Sequence, residues 1–486
     1  MGEYILVIDE GTTSTRAMLF TPDGRCVASE QTLLTQGYPQ PGWVEHDAAE
    51  IWRKTLRVTA AMVAQAGGAD RIAGIGITNQ RETVVFWDRD TGEPLAPAIV
   101  WQDRRTADRC GALRDAGHEA LVQRRTGLIL DPYFSATKIG WALEHWPEVA
   151  AAGERLMIGT VESWLAWKLT GHHVTDATNA SRTALMALDG GWDDALLDLF
   201  GVPVRSLPTI VDCAGVVGTT RAFGGAIPVC GLAGDQQAAA IGQACLAPGT
   251  VKATFGTGAF VLAHVGAQPA ASDHRLLSTV AWQLAGERRY ALEGSVFVAG
   301  SLVQWLRDSL GLIGSAPETE ALARSVDDTT GVYLVPALSG LGAPWWQPEA
   351  RAALSGLSFA ATKAHVARAA LEAMSYQAAD LQNAFASDGV VWDVLRIDGG
   401  MVANDWLAQD LADVLDLPVE RPTFAETTAL GAAMLAGIGA DLFANLDEAA
   451  AAMRGEVETF EPKITADRRE TRLAGWQKAV TDVIGS

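Results

Sequence analysis

The sequence predicts an α/β fold of two similar domains around a cleft, and three strand-and-turn patterns predict it. The first is the apolar run Tyr4-Ile5-Leu6-Val7-Ile8, followed by the polar stretch Asp9-Glu10-Gly11-Thr12-Thr13-Ser14-Thr15-Arg16 and a second run, Ala17-Met18-Leu19-Phe20. A run without polar alternation reads as a strand buried on both faces, so the pattern is strand, hairpin tip, returning strand. The second pattern is Gly249-Thr250-Val251-Lys252-Ala253-Thr254-Phe255, then Gly256-Thr257-Gly258, then Ala259-Phe260-Val261-Leu262. The third is Val394-Leu395-Arg396-Ile397-Asp398 followed by Gly399-Gly400 and a helix expected over 406–414.

The hairpin tips carry the chemistry. Gly11 lets the backbone turn tightly and approach an anion, and Thr12, Thr13 and Ser14 add hydroxyl donors to the backbone N–H groups there. This is not the Gly-x-x-x-x-Gly-Lys-Ser/Thr loop. Two phosphate-gripping hairpins half a chain apart imply two α/β domains closing on one nucleotide. That architecture resembles the actin and hexokinase superfamily, with two ribonuclease-H-like domains around an interdomain cleft. The boundary is expected between Gly242 and Pro248, giving domains 1–245 and 246–486.

Between these landmarks the elements follow in order. Asp47-Ala48-Ala49-Glu50 has capping-box logic, and Trp52, Leu56 and Val63 at helical spacing give a helix over 48–66 a buried face. Residues 74–78 form a core strand whose end delivers Arg81 and Glu82 to a loop. The Gly/Pro-rich stretch 201–231 carries few periodic signals and is expected to run toward the cleft. Residues 300–306 form a helix that begins at the cleft, and 449–453 and 468–484 form helices with a solvated face.

Composition narrows the class. At about 150 residues per domain a 486-residue chain would hold three domains, but the paired hairpins favour two large ones. The formal net charge of −21, without a basic run, would repel a nucleic acid. Cys26, Cys110, Cys213, Cys230 and Cys245 are odd in number and lack Cys-x-x-Cys spacing, so they read as reduced and structural. No apolar run reaches the roughly 18 residues of a membrane helix, and a strand beginning within three residues of Met1 leaves no room for a signal peptide. A cytoplasmic protein without stable membrane insertion is expected.

Asp235, in Gly231-Leu232-Ala233-Gly234-Asp235-Gln236-Gln237, is the candidate general base. A carboxylate is a weak base, but in a loose phosphoryl-transfer transition state the proton leaves late and a weak base suffices. On residue type alone Arg81-Glu82 reads as a surface ion pair, Trp101 as a core aromatic and Gln304 as a solvated helix position.

Longer motifs change that reading. Residues 133–141 (Tyr-Phe-Ser-Ala-Thr-Lys-Ile-Gly-Trp), with a departure at Ala142, and Ala352-Ala353-Leu354-Ser355-Gly356-Leu357 with His365-Val366 resemble the two signatures of the FGGY carbohydrate kinases. Within that family, Gly42-Trp43-Val44-Glu45-His46-Asp47, Asn79-Gln80-Arg81-Glu82-Thr83, Trp101-Gln102-Asp103-Arg104-Arg105-Thr106 and residues 340–346 resemble the branch that phosphorylates glycerol.

The resemblance covers nearly the whole chain and implies ATP and Mg²⁺ as cofactors, glycerol as acceptor, and a homodimer or homotetramer. It places Asp235, Arg16 and Asp9 in catalysis, with Asp9 orienting the metal through water. Arg81, Glu82, Trp101, Tyr133, Asp235, Gln236 and Phe260 would line the acceptor pocket. Thr12, Thr13, Ser14, Arg16, Gly256 and Thr257 would hold phosphates, and Gly300, Gln304, Gly400 and Asn404 would lie on the adenosine side. The acceptor could instead be a pentulose, erythritol or gluconate, and a nucleotide-driven switch resembling actin is the alternative of a different class.

Overall fold

Ile5, Leu6, Val7 and Ile8 are fully buried because the strand they form has a neighbour on either side and a helix over each face. The structure, a computed structural model, describes residues 2–347 and 349–485. The first sheet contains β1 (Tyr4–Glu10), β2 (Ser14–Phe20), β3 (Cys26–Leu33), β4 (Ile72–Asn79), β5 (Ala214–Thr220) and β6 (Ile227–Gly234), in the order β5-β6-β4-β1-β2-β3. Helix α1 (Ala48–Ala66) covers the Leu6 and Ile8 face through Ile51, Val58 and Met62. β1, β4 and β6 run parallel, with Asp9 beside Thr78 and Gly234 beside Asn79. Their carboxyl ends therefore open on one edge, where open α/β sheets place ligands. Helix α2 (Asp235–Gly242) starts directly at the end of β6.

The stretch 201–231, expected to run toward the cleft, contains β5 and most of β6, two strands that its few periodic signals did not show. Pro228, which lacks an N–H, stands beside Thr219 of β5 and ahead of Val229, where the pairing of β6 with β4 begins. At α1, Asp47 accepts from the Ala49 N–H, but Glu50 closes no capping box, because its carboxylate binds Thr35 and Lys54. Trp52 and Leu56 are only half-buried, and Ile51, Thr55, Val58 and Met62 form the inner face with Val63.

The second sheet contains β7 (Thr250–Phe255), β8 (Ala259–Gly266), β9 (Leu277–Leu284), β10 (Glu287–Val296), β11 (Val394–Asp398), β12 (Val419–Pro422) and β13 (Val457–Phe460), in the order β9-β10-β8-β7-β11-β12-β13. As in the first sheet, an antiparallel hairpin, β7–β8, has a parallel neighbour, β11. Helices α3 (Gly300–Asp308), α4 (Lys363–Ser387), α5 (Asp405–Leu415) and α6 (Thr427–Gly439) follow in the chain, and α4 supplies much of this half's core.

Helix α6 returns to the first sheet and covers the Ile5 and Val7 face, so the halves are interleaved. It crosses α2 at glycines: a Cβ on Gly431 would lie 1.8 Å from the Ala238 carbonyl, and one on Gly242 would lie 2.0 Å from that of Thr427. Only hydrogen fits there. A smaller five-stranded sheet, including Val84–Asp88 and Leu156–Thr160, extends the first half. Among the described residues no helix is long and apolar enough to cross a membrane.

Candidate active site

The parallel strand ends deliver the predicted acceptor residues to one point. Asp235 is the first residue of α2; its Oδ1 accepts from the Gln236 N–H at 2.7 Å and lies 3.3 Å from Arg81 Nε. Burial raises its pKa, and the charges of Arg81 and Lys252 oppose that rise. Arg81 and Glu82 follow β4 in a three-residue turn in which the Thr83 N–H donates to the Arg81 carbonyl at 2.8 Å. Glu82 sits at the apex with φ 61°, a left-handed conformation that is rare for a residue with a side chain.

A chain of buried charges holds this turn. Arg81 Nη1 donates to Glu293 Oε2 at 2.6 Å, Arg182 Nη2 donates to Glu293 Oε1 at 2.9 Å, and Arg182 Nε donates to Glu82 Oε1 at 2.6 Å. Burial opposes the Glu293 charge, but the two guanidiniums overcome it and hold the carboxyl at about 2. Glu82 is pushed up by burial, with Arg182 and Arg81 opposing. The Tyr133 hydroxyl lies 3.5 Å from Arg81 Nη2, and burial raises its pKa.

Aromatic rings wall the pocket. Trp101 meets Tyr133 edge-on at 5.5 Å and Phe260, which comes from the second half, at 6.4 Å. Its indole Nε1 donates to Thr12 Oγ1 at 2.9 Å, so the Thr12 hydroxyl hydrogen remains free to point at an anion. Gln80 Nε2 donates to the Gly11 carbonyl, tying the acceptor loop to the first hairpin again. Gln236 accepts from Lys252 Nζ, which leaves its amide hydrogens for a ligand. Burial lowers the Lys252 pKa against the pull of Asp398 and Asp235.

On the phosphate side, Arg16 bonds Asp9 and Glu426, each at 2.7 Å. Burial raises Asp9 while Arg16 opposes it. Thr13 is exposed and Ser14 accepts from Gln31. In the second hairpin, Gly256 and Thr257 present their carbonyls to the start of α3: Gly300 N–H donates to Gly256 O at 2.9 Å and Ser301 N–H to Thr257 O at 3.1 Å. A Cβ on Gly300 would lie 2.5 Å from Gly256 O and 3.1 Å from Met401, which puts the Gly400 turn beside the hairpin. Gln304 and Gly400 are exposed. Asn404 is buried, caps α5 through the Leu407 N–H and donates to Thr319, so its side chain braces the turn.

Sequence reasoning missed Glu293, Arg182, Lys252 and Glu426. Two of them carried a signal, being lone charges inside apolar stretches: Glu293 in Tyr290-Ala291-Leu292-Glu293-Gly294 and Lys252 in Val251-Lys252-Ala253, whereas Arg182 follows the polar run Thr178-Asn179-Ala180-Ser181 and carried none. A charge in a fully buried strand needs a partner. The partner itself cannot be read from the local sequence.

The N-terminal domain pattern of the FGGY family of carbohydrate kinases matches residues 4–242, and its C-terminal domain pattern matches residues 251–440. A glycerol kinase of Methylobacterium nodulans is 54% identical over 498 residues, covering 100% of this chain and 99% of that protein. One of Alcanivorax borkumensis is 54% identical, covering 99% and 98%. The crystal structure of Plasmodium falciparum glycerol kinase with ADP superimposes with a TM-score of 0.94 at 35% identity, covering 99% of this chain and 98% of that one.

Proposed function

The chain belongs to the FGGY family of carbohydrate kinases, and from that premise we propose that it transfers the γ-phosphoryl group of ATP to glycerol, giving sn-glycerol 3-phosphate and ADP. The observation that carries this reading is the acceptor pocket. Three basic side chains, Arg81, Arg182 and Lys252, stand with three acidic ones, Asp235, Glu82 and Glu293, between the walls of Trp101 and Phe260. The balance suits an uncharged polyol, whose hydroxyls each donate and accept. An acid such as gluconate would upset it, and the two walls limit the carbon skeleton. The full-length relatives named glycerol kinase support the choice.

Asp235 takes the proton of the attacking hydroxyl as the phosphorus–oxygen bond forms; Arg81 and Glu82 orient the acceptor, and Gln236 donates to it. The first hairpin receives the phosphates on Thr12, Thr13 and Ser14, and the second on the N–H and hydroxyl of Thr257 beside Gly256, whose own N–H is held by the Gly258 carbonyl. Arg16 neutralises charge that spreads over the equatorial oxygens. The donor set fits Mg²⁺, which takes one or two carboxylates and completes its shell with water and phosphate oxygens. Asp9 has one oxygen on Arg16 and the other open to such a shell. When bound, Mg²⁺ draws charge off the β- and γ-phosphoryl oxygens.

ADP formation measured across glycerol, erythritol, xylulose, gluconate and no acceptor tests the reading. Glycerol should give the highest kcat/KM, and a higher value with xylulose or gluconate would overturn the assignment. ADP formation independent of any acceptor would point to an actin-like switch. In Asp235→Asn, which keeps shape and loses the base, kcat should fall by roughly 10²- to 10⁴-fold with a much smaller change in glycerol KM. The proposal includes a division at residues 245/246, a cytoplasmic location and a homodimer or homotetramer, the last checked by light scattering.

A further inference from the structure

Four side chains proposed to reach the acceptor, Arg81, Glu82, Tyr133 and Asp235, belong to the first half of the chain, yet the carboxylate that braces Arg81 directly, and Glu82 through Arg182, does not. Glu293 lies on β10 of the second sheet, opposite Leu262 of β8 and Leu277 of β9, with no exposed surface. Its two oxygens are divided between Arg81 and Arg182. Arg182 is equally buried; its guanidinium lies over the Tyr133 and Phe134 rings at 5.7 and 5.4 Å and passes the restraint on to Glu82.

Glu82 needs that restraint. A non-glycine residue at φ 61° in a three-residue turn is strained, and such strain persists only where the surroundings over-determine it. Ser135 Oγ holds the Glu82 carbonyl at 3.0 Å, and Arg182 holds the carboxylate. The pairing also determines what remains for a ligand. With Glu82 Oε1 bound to Arg182, Oε2 is left to accept from a hydroxyl. With Arg81 Nη1 bound to Glu293, Nη2 finds only the Tyr133 hydroxyl at 3.5 Å and keeps its donors.

We propose that Glu293, acting through Arg81 and Arg182, is a positioning residue for the acceptor. It is a carboxylate of the second half that sets the strained Arg81-Glu82 turn, so the acceptor site is complete only while the two halves are docked. The inference rests on the functional reading above, since it presumes that Arg81 and Glu82 grip the acceptor.

Without Glu293, Arg81 has Asp235 as its nearest remaining carboxylate partner. The charged groups that act on Asp235 are then Arg81 from the β4 loop, Lys252 from β7 and Asp9 from β1. A guanidinium turned fully onto Asp235, together with loss of the Glu293 charge, favours its ionised form. The acid limb of activity should therefore move to lower pH.

The test compares the full-length enzyme with Glu293→Gln, Glu293→Asp and Arg182→Lys, measuring glycerol KM, ATP KM, kcat and the pH profile of kcat/KM, with folding followed by thermal denaturation. Glu293→Gln should raise the glycerol KM by about ten- to a hundredfold, the range expected for a lost charged hydrogen bond. The ATP KM should change by less than about twofold, the split expected when only acceptor binding is disturbed. The acid limb should move down in pH.

If Glu293→Gln does not fold, Glu293→Asp keeps the charge on a shorter arm and should show the same split at smaller amplitude, as should Arg182→Lys. An unchanged glycerol KM with an unmoved acid limb, or equal rises in both KM values, overturns the inference. A wild-type enzyme that prefers another acceptor overturns the functional reading instead, and the split is then measured with that acceptor.

Discussion

The two hairpins share a plan and differ in how they would grip a phosphate. The first carries a charged apparatus: Asp9 and Arg16 paired at 2.7 Å, Glu426 bound to the same Arg16 nitrogen, and the hydroxyl of Thr12 oriented by Trp101. The second has no ionisable side chain at its tip. Gly256 and Thr257 are fixed by backbone bonds from Ala299, Gly300 and Ser301, which join the hairpin to the start of α3. One hairpin works by placed charge and the other by backbone shape. Near a transition state whose charge spreads over phosphoryl oxygens, the charged hairpin is suited to the reacting end and the shaped one to holding the rest of the nucleotide.

Substitutions separate the two modes. The largest effect should come from Arg16→Ala, with kcat reduced roughly 10²- to 10³-fold, the usual cost of removing a preorganised electrostatic group. Steady-state kinetics checks it, and a loss confined to ATP KM would make the first hairpin a binding element like the second. Gly300→Ala should act in the opposite sense. Its Cβ would meet the Gly256 carbonyl at 2.5 Å, so the hairpin must shift at a cost of about 1–3 kcal/mol, seen as a lower Tm and a higher ATP KM with kcat less affected.

A pH profile gives a finer distinction. The proposed base, Asp235, would work only when charged, and burial raises its pKa. Activity should be lost as pH falls through a value above the ordinary carboxylate range. The charge on Asp9 adds to that rise, so Asp9→Asn should move the acid limb of its residual activity to lower pH, while Thr257→Val in the uncharged hairpin should leave the limb in place. The smallest effect is expected from Glu426→Gln. Loosening the partly exposed Arg16–Glu426 pair should lower ATP KM by no more than a few fold, in keeping with a pair worth about 1 kcal/mol or less.

Legibility in the sequence followed the range of the interactions. β1, β2, β7, β8 and β11 were readable because an apolar run followed by Gly and Thr is a local statement about burial and turning, and each tip residue acts within a few positions of its strand. β5 and β6 were missed because an exposed edge strand need not be apolar and because Pro228 imitates a loop. Arg81, Glu82, Tyr133, Trp101, Phe260 and Asp235 were named from motif resemblance, and the fold brings them together by running β1, β4 and β6 parallel to one edge and turning Phe260 in from the other half. The left-handed turn at Glu82 left no trace in residue type, since glutamate is not a residue that favours it.

The amino-acid sequence by itself determined where strands begin, where they turn and which tips carry hydroxyls, because these depend on unbroken apolar runs and on neighbours along the chain. Only the tertiary structure decided which charges meet. Glu293 lies 212 residues from Arg81 and 111 from Arg182. A buried carboxylate that stays charged, as that of Glu293 does, needs cations beside it, and which cations stand there depends on how the two sheets pack, a property that no window of sequence contains.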